Sequence, residues 1–133
     1  MWGATKVTPA IEVPQAARVV GASVIAAVGL AIALLGVASF RRASTTVNPI
    51  KPDSASSLVS SGVYRVTRNP MYLGLLFLLV AWGVFLSSAA ALLVATAFVP
   101  AMNRFQIAPE ERALRAKFGA EFEAYRARVR RWI

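Results

Sequence analysis

Tyr64, Arg65, Arg68, Asn69 and Tyr72 crowd one short stretch of the chain, and Arg104, Gln106, Glu110 and Glu111 crowd another about thirty residues later. Carboxylates and guanidiniums in such groups bind charged ligands by charge-assisted hydrogen bonds, and phenols and amides orient them. Proton transfer has fewer agents. The chain has no histidine and no cysteine, so a general base near these residues would be Glu111 or a tyrosine, and no thiolate nucleophile exists. Two adjacent carboxylates without His or Cys make a thin ligand set, and no metal is expected. Taken singly, each residue has a plainer role: Arg68 and Arg104 as anchors at membrane ends, Tyr64 and Tyr72 as interfacial aromatics, Glu110 and Glu111 as a favourable helix start. Only their combination in space suggests a site.

What must bring them together is a membrane scaffold. The chain has 133 residues, 57% of them hydrophobic, with a mean hydropathy of +0.58, more apolar surface than one soluble domain of that size buries. Asp, Glu, Lys and Arg are absent between Arg18 and Arg41 and again between Arg68 and Arg104. The first window, residues 19–40, fits one membrane-crossing helix of ~20 residues. It starts too late and runs too long for a signal peptide, and it ends in Phe40-Arg41-Arg42 without a cleavage site. As one helix the second window would be ~50 Å long against a ~30 Å hydrocarbon core, so it must turn back. Gly83 and Ser87-Ser88 near its middle predict two helices, about 71–86 and 89–106. The expectation is an all-α integral membrane protein in a single domain, residues 1–133, with about three transmembrane helices including a helical hairpin. The hairpin returns Arg104–Glu111 to the level of Tyr64–Tyr72.

Of the 15 Lys and Arg residues, five lie in the loop after the first span, none at the Ser87 turn and eight at or beyond the end of the third span. By the positive-inside rule the loop and the C-terminus face the cytoplasm. The net charge of +9 is thereby explained by topology and by anionic membrane lipids, and nucleic acid is not expected as a partner. The absence of cysteine leaves the redox compartment open.

Residues 1–17, with Pro9 and Pro14, read as irregular. In the first span Ala22, Ala26, Gly29, Ala33 and Gly36 form a small-residue stripe, a packing face through which copies of the chain could also associate. The Ser- and Pro-rich stretch 43–67 is longer than a minimal connection. Ala108-Pro109-Glu110-Glu111 reads as the start of a C-terminal helix, about 109–132. There Leu114, Phe118, Phe122, Tyr125, Val129 and Trp132 recur at spacings of 4, 4, 3, 4 and 3, an apolar face suited to lying in the membrane interface, with Gly119 as a kink.

Ser61-Gly62-Val63-Tyr64-Arg65, Arg68-Asn69-Pro70-Met71-Tyr72-Leu73-Gly74, Pro109-Glu110-Glu111, Phe118-Gly119 and Tyr125 stand in one order along the chain. In these motifs the sequence resembles the membrane methyltransferases that include isoprenylcysteine carboxyl methyltransferase and the phospholipid methyltransferases, especially their short bacterial members. The likeness runs from about Arg41 onward, roughly two thirds of the chain. It implies S-adenosyl-L-methionine as methyl donor, bound without a Rossmann domain, for which the chain has neither fingerprint nor length. Carried over by position, Leu58, Val59, Tyr64, Asn69, Pro70, Met71, Tyr72 and Glu110 are expected to contact this cofactor. Glu110 would pair with its ammonium, Arg68 with its carboxylate, and the tyrosines would face adenine or the sulfonium. The catalytic set is expected to be Arg68, Arg104 and Glu111.

Two departures stand out. Where the carboxyl methyltransferases have histidine this chain has Asn69, which can hold a ligand but cannot take up a proton near neutral pH; phospholipid methyltransferases resemble this chain in having Asn-Pro. Relatives also commonly have one more span before the first one here. The expected function is an S-adenosylmethionine-dependent methyltransferase in the bacterial inner membrane, its C-terminus cytoplasmic. Its acceptor would be a lipophilic small molecule, a lipid or a lipidated substrate, near a mouth lined partly by Phe77, Phe98 and Phe105. The alternatives are a non-catalytic membrane subunit on the same scaffold and an NADPH-dependent protein like the sterol reductases, which resemble this family in their membrane region.

Overall fold

The computed structural model describes residues 12–43 and 58–133. Among them the secondary structure is entirely helical. Most of the 43–67 stretch, and the first eleven residues, lie outside the described part.

Helix α1, Gln15–Arg42, begins after Pro14 and ends on Arg41 and Arg42, cations that suit the negative end of a helix. Helix α2, Pro70–Leu86, opens on a proline at its first position, where the missing N–H costs nothing. It stops at Ser87, which takes up a left-handed φ of +52°. The Ser87 and Ser88 N–H groups donate to the Val84 and Gly83 carbonyls, and Ser88 Oγ then accepts the Ala91 N–H to cap helix α3, Ala89–Met102. Two serines thus close one helix and open the next.

The chain does not restart at Pro109. Helix α3 continues through a π-helical turn, Asn103–Ile107, into α4, Ala108–Phe118. The Ala108 N–H reaches back five residues to the Asn103 carbonyl, and Pro109 follows with no N–H to place. The expectation of a fresh helix start at Ala108-Pro109 is therefore corrected: Glu110 and Glu111 sit within a continuous rod. The rod breaks at Gly119, whose φ of +53° and ψ of −119° are open to glycine and strained for other residues. Helix α5, Ala120–Arg128, follows, and a non-helical segment, residues 129–133, ends the described chain.

Two of these rods, Gln15–Arg42 and Ala89–Phe118, are long and apolar enough to cross a membrane. Only 17% of the most apolar window of each is buried in the protein, unlike the core helix of a soluble domain. Val20, Val24, Leu34 and Leu35 of α1, Trp82 and Phe85 of α2, and Leu93 of α3 are all exposed, an exterior suited to lipid. Helix α2, at 17 residues, is shorter.

The small-residue stripe of α1 packs on α2. A Cβ added at Gly29 would lie 2.8 Å from the Gly74 carbonyl oxygen, one at Gly74 would lie 2.5 Å from that of Gly29, and one at Gly36 would lie 2.9 Å from Pro70 Cγ. The two backbones approach as closely as their glycines allow. This corrects the expectation of an oligomer through that face, because α2 already covers it.

The C-terminal apolar face is likewise used internally. Phe122, Tyr125 and Val129 are buried in a cluster with Val59 and Tyr64, and Leu114, Phe118, Leu58 and Phe40 pack around it. Trp132 is half-buried and stacks edge-on against Phe98 of α3. These residues do not form an interfacial face. Their periodicity arises because α4 and α5 cover the 58–65 segment, and burying Phe122 alone contributes about 2–3 kcal/mol.

Candidate functional site

The hairpin return sets α4 beside the start of α2. Tyr72, one turn into α2, donates its hydroxyl to Glu110 Oε1 at 2.5 Å, and Gln106 Nε2, one turn before Glu110, donates to the same oxygen at 2.7 Å. The π-helical turn places Gln106 on the Glu110 side while Ile107 is buried and Phe105 is 74% exposed. Glu110 lies past the apolar stretch of the α3–α4 rod. Burial pushes its pKa above the usual glutamate range, against the opposing effect of its hydrogen bonds from Tyr72 and Gln106. Among the described residues this carboxylate has no cationic partner. Tyr64, buried nearby on the 3₁₀ turn Gly62–Arg65, has its phenol pushed up mainly by burial, then by Tyr125, Glu110 and Tyr72.

Glu111, the adjacent carboxylate, has the opposite surroundings. Its Oε1 accepts from Arg68 at 2.8 Å and from Arg131 Nε at 3.1 Å, and its Oε2 accepts from an Arg131 terminal nitrogen at 2.7 Å. The Arg68 and Glu111 side chains are each only 11% exposed. Burial lowers the Arg68 pKa from its usual value and Glu111 opposes that effect. A carboxylate held by two guanidiniums is a strong structural tie. Arg68 Nε remains buried with no acceptor among the described residues.

The 129–133 segment lies across the start of α2. The Arg130 carbonyl accepts the Arg68 N–H at 3.0 Å, and the Arg131 carbonyl accepts from Asn69 Nδ2 at 2.9 Å and Thr67 Oγ1 at 3.3 Å. Thr67 Oγ1 in turn accepts the Asn69 N–H at 3.1 Å, and Trp132 donates to Asn103 Oδ1 at 3.0 Å. The side chain of Asn69 therefore makes no helix cap. Its amide holds the C-terminal segment in place.

The expected site residues thus fall into separate groups. Tyr72 and Glu110 are joined by a hydrogen bond, Tyr64 is near enough for the Glu110 charge to act on it, and Arg68 and Glu111 stand beside them. Asn69 is tied to the C-terminal segment. Pro70 and Met71 contact α1 at Gly36, while Val59 and Leu58 belong to the apolar cluster. Arg104 is exposed and lies over the Phe105 ring, 5.7 Å from its centre. Sequence reasoning placed Gln106 at the boundary without giving it a role, although its spacing of four from Glu110 puts the two on one helix face. It missed Arg131, because that contact depends on how the chain turns after α5.

A family model described as phospholipid methyltransferase matches residues 17–121. An uncharacterized protein of Haemophilus influenzae is 46% identical over 63 residues, covering 47% of this chain and all of that protein. Two rice proteins, from Oryza sativa subsp. indica and subsp. japonica, each named probable protein-S-isoprenylcysteine O-methyltransferase, are 35% identical over 105 residues. That alignment covers 77% of this chain and 53% of each rice protein, so the chain spans about half their length. No solved structure matches.

Proposed function

The chain belongs to the phospholipid methyltransferase family, and from that premise we propose that it methylates a lipophilic acceptor at the cytoplasmic face of a membrane, with S-adenosylmethionine as donor. The observation that carries this reading is Glu110: a partly buried carboxylate that receives two neutral hydrogen bonds and faces no cation among the described residues. Such a group binds a cationic ligand well, since its desolvation is only partly offset at rest. Arg68 Nε, buried and without an acceptor, is the matching donor for a carboxylate. Together they fit the amino-acid end of S-adenosylmethionine, which carries both charges.

When bound, that donor supplies an electrophilic methyl group on a sulfonium. Glu110 then holds the ammonium, with Tyr72 and Gln106 fixing the rotamer of its carboxylate. The Tyr64 and Tyr72 rings offer faces that attract positive charge. Glu111 and Arg131 hold Arg68 in position, and the C-terminal segment pins the start of α2 through Asn69. Glu111 is engaged by two guanidiniums and is not the proton acceptor in this scheme. Catalysis then rests on positioning and exclusion of water, which suits an acceptor that arrives as an anion. Three spans, counting α2, with the loop and C-terminus on the cytoplasmic side, complete the proposed topology.

Purified protein titrated separately with S-adenosylmethionine and NADPH tests the reading. Saturable binding of the first alone is expected; binding of NADPH alone would replace methyl transfer with reductase chemistry.

A further inference from the structure

On the surface formed by α5 and the segment before the 3₁₀ turn lies a groove of about 400 Å³, lined by Ser60, Ser61, Arg65, Tyr125, Arg128 and Val129. None of these side chains hydrogen-bonds to Glu110 or Glu111. The local chain geometry builds the groove. Gly62, at φ +61°, turns the backbone tightly against Ser39 at the end of α1, where an added Cβ would meet Ser39 Oγ at 2.7 Å. That turn presents Ser60 and Ser61 on the same side as Arg65. The hydroxyl of Tyr125 is committed to the Tyr64 carbonyl at 2.8 Å, so its ring and Val129 give a buried apolar floor.

Among the described residues the polar side chains of the rim are largely uncommitted. Neither Arg65 nor Arg128 has a carboxylate partner among the described residues. The one hydrogen bond of Arg128 runs from Nε to the Ala124 carbonyl at 3.3 Å, which leaves its terminal nitrogens available. Burial pushes the Tyr125 phenol up, and the charges of Arg68 and then Arg128 oppose it. Among the described residues no acidic side chain lines the groove.

We infer that this groove binds a phosphate ester, its oxygens held by Arg65, Arg128 and the two serine hydroxyls and its organic part resting on Tyr125 and Val129. Two guanidiniums and two hydroxyls supply more donors than a carboxylate accepts, whereas a phosphate has oxygens for all of them. The volume falls in the range of small-molecule sites and exceeds what inorganic phosphate alone would fill. A phospholipid headgroup and a soluble phosphate ester share this chemistry.

The test has two arms on the intact protein. In one, glycerol phosphate is titrated by calorimetry into protein held in a neutral detergent; in the other, phosphatidic acid is titrated into the same micelles and bound lipid is counted by native mass spectrometry. Saturable binding in either arm is expected, weakened about tenfold in Arg65→Gln and in Arg128→Gln, the scale of one charge-assisted contact, and unchanged in Arg112→Gln, an exposed cation on α4. The arm that responds identifies the source. Thermal unfolding of each variant should match the parent, since both side chains are exposed. Absence of binding in both arms, full binding by the two groove variants, or an equal loss in Arg112→Gln would overturn the assignment. All three readings are independent of methyl transfer.

Discussion

Glu110 and Glu111 are neighbours in sequence with opposite duties, and amide substitution should separate them. Glu111→Gln leaves the side-chain volume unchanged but removes the charge shared by Arg68 and Arg131. Removing one partner of a buried ion pair costs about 3–5 kcal/mol. Arg68 is only 11% exposed and counts in full, whereas the Arg131 side chain is 31% exposed and is partly rehydrated. The expected loss is therefore near the lower limit, about 3 kcal/mol. Glu110→Gln should cost almost nothing. Because burial raises the Glu110 pKa, ionisation opposes the fold. Its contribution is most favourable at low pH and declines as pH rises through the raised pKa, so a neutral amide matches or slightly improves stability at pH 7. Denaturant unfolding in detergent, followed by tryptophan fluorescence, would measure both. Equal stability of Glu111→Gln and the parent, or an equal loss in the two variants, would refute this division of roles.

Other outcomes follow from the same geometry. Tyr72→Phe removes one of two hydrogen bonds to Glu110 and should weaken S-adenosylhomocysteine binding by about 1 kcal/mol; calorimetry at two pH values should show affinity falling as Glu110 protonates, at a pH above the ordinary glutamate range. Gly74→Ala forces a methyl group to within 2.5 Å of the Gly29 carbonyl oxygen and should destabilise the α1–α2 pair by about 1–3 kcal/mol, read from thermal unfolding. Cysteines placed at the exposed Ala89 and Ala127 should label with a membrane-impermeant thiol reagent on opposite sides, Ala89 from outside; the reverse pattern would invert the topology.

The apolar helices were legible because charge is excluded from lipid: α1 spans the first uncharged window, α2 and α3 together fill the second, and the Ser87-Ser88 turn lies between them. The polar groups 64–72 and 104–111 could be brought to one level in advance because a helical hairpin must return its end to its beginning. What remained hidden depends on groups that carry no periodic signal. The π-helical turn is a backbone choice. The apolar stripe from Leu114 to Trp132 looks the same whether it meets lipid or protein, and only the arrival of Val59 and Tyr64 against it decides the matter. Asn69 and Arg131 are joined by a side-chain amide and a backbone carbonyl 62 residues apart, a contact that spacing along the chain does not reveal.

The central claim is that Glu110 receives the cationic end of the methyl donor, and S-adenosylhomocysteine titrated into the parent and into Glu110→Gln tests it most directly. Saturable binding by the parent is predicted, weakened by about 1.5–3 kcal/mol in the variant, the scale of a charged hydrogen bond, with unfolding unchanged. No binding to the parent, or equal affinity in a folded Glu110→Gln protein, would contradict the account.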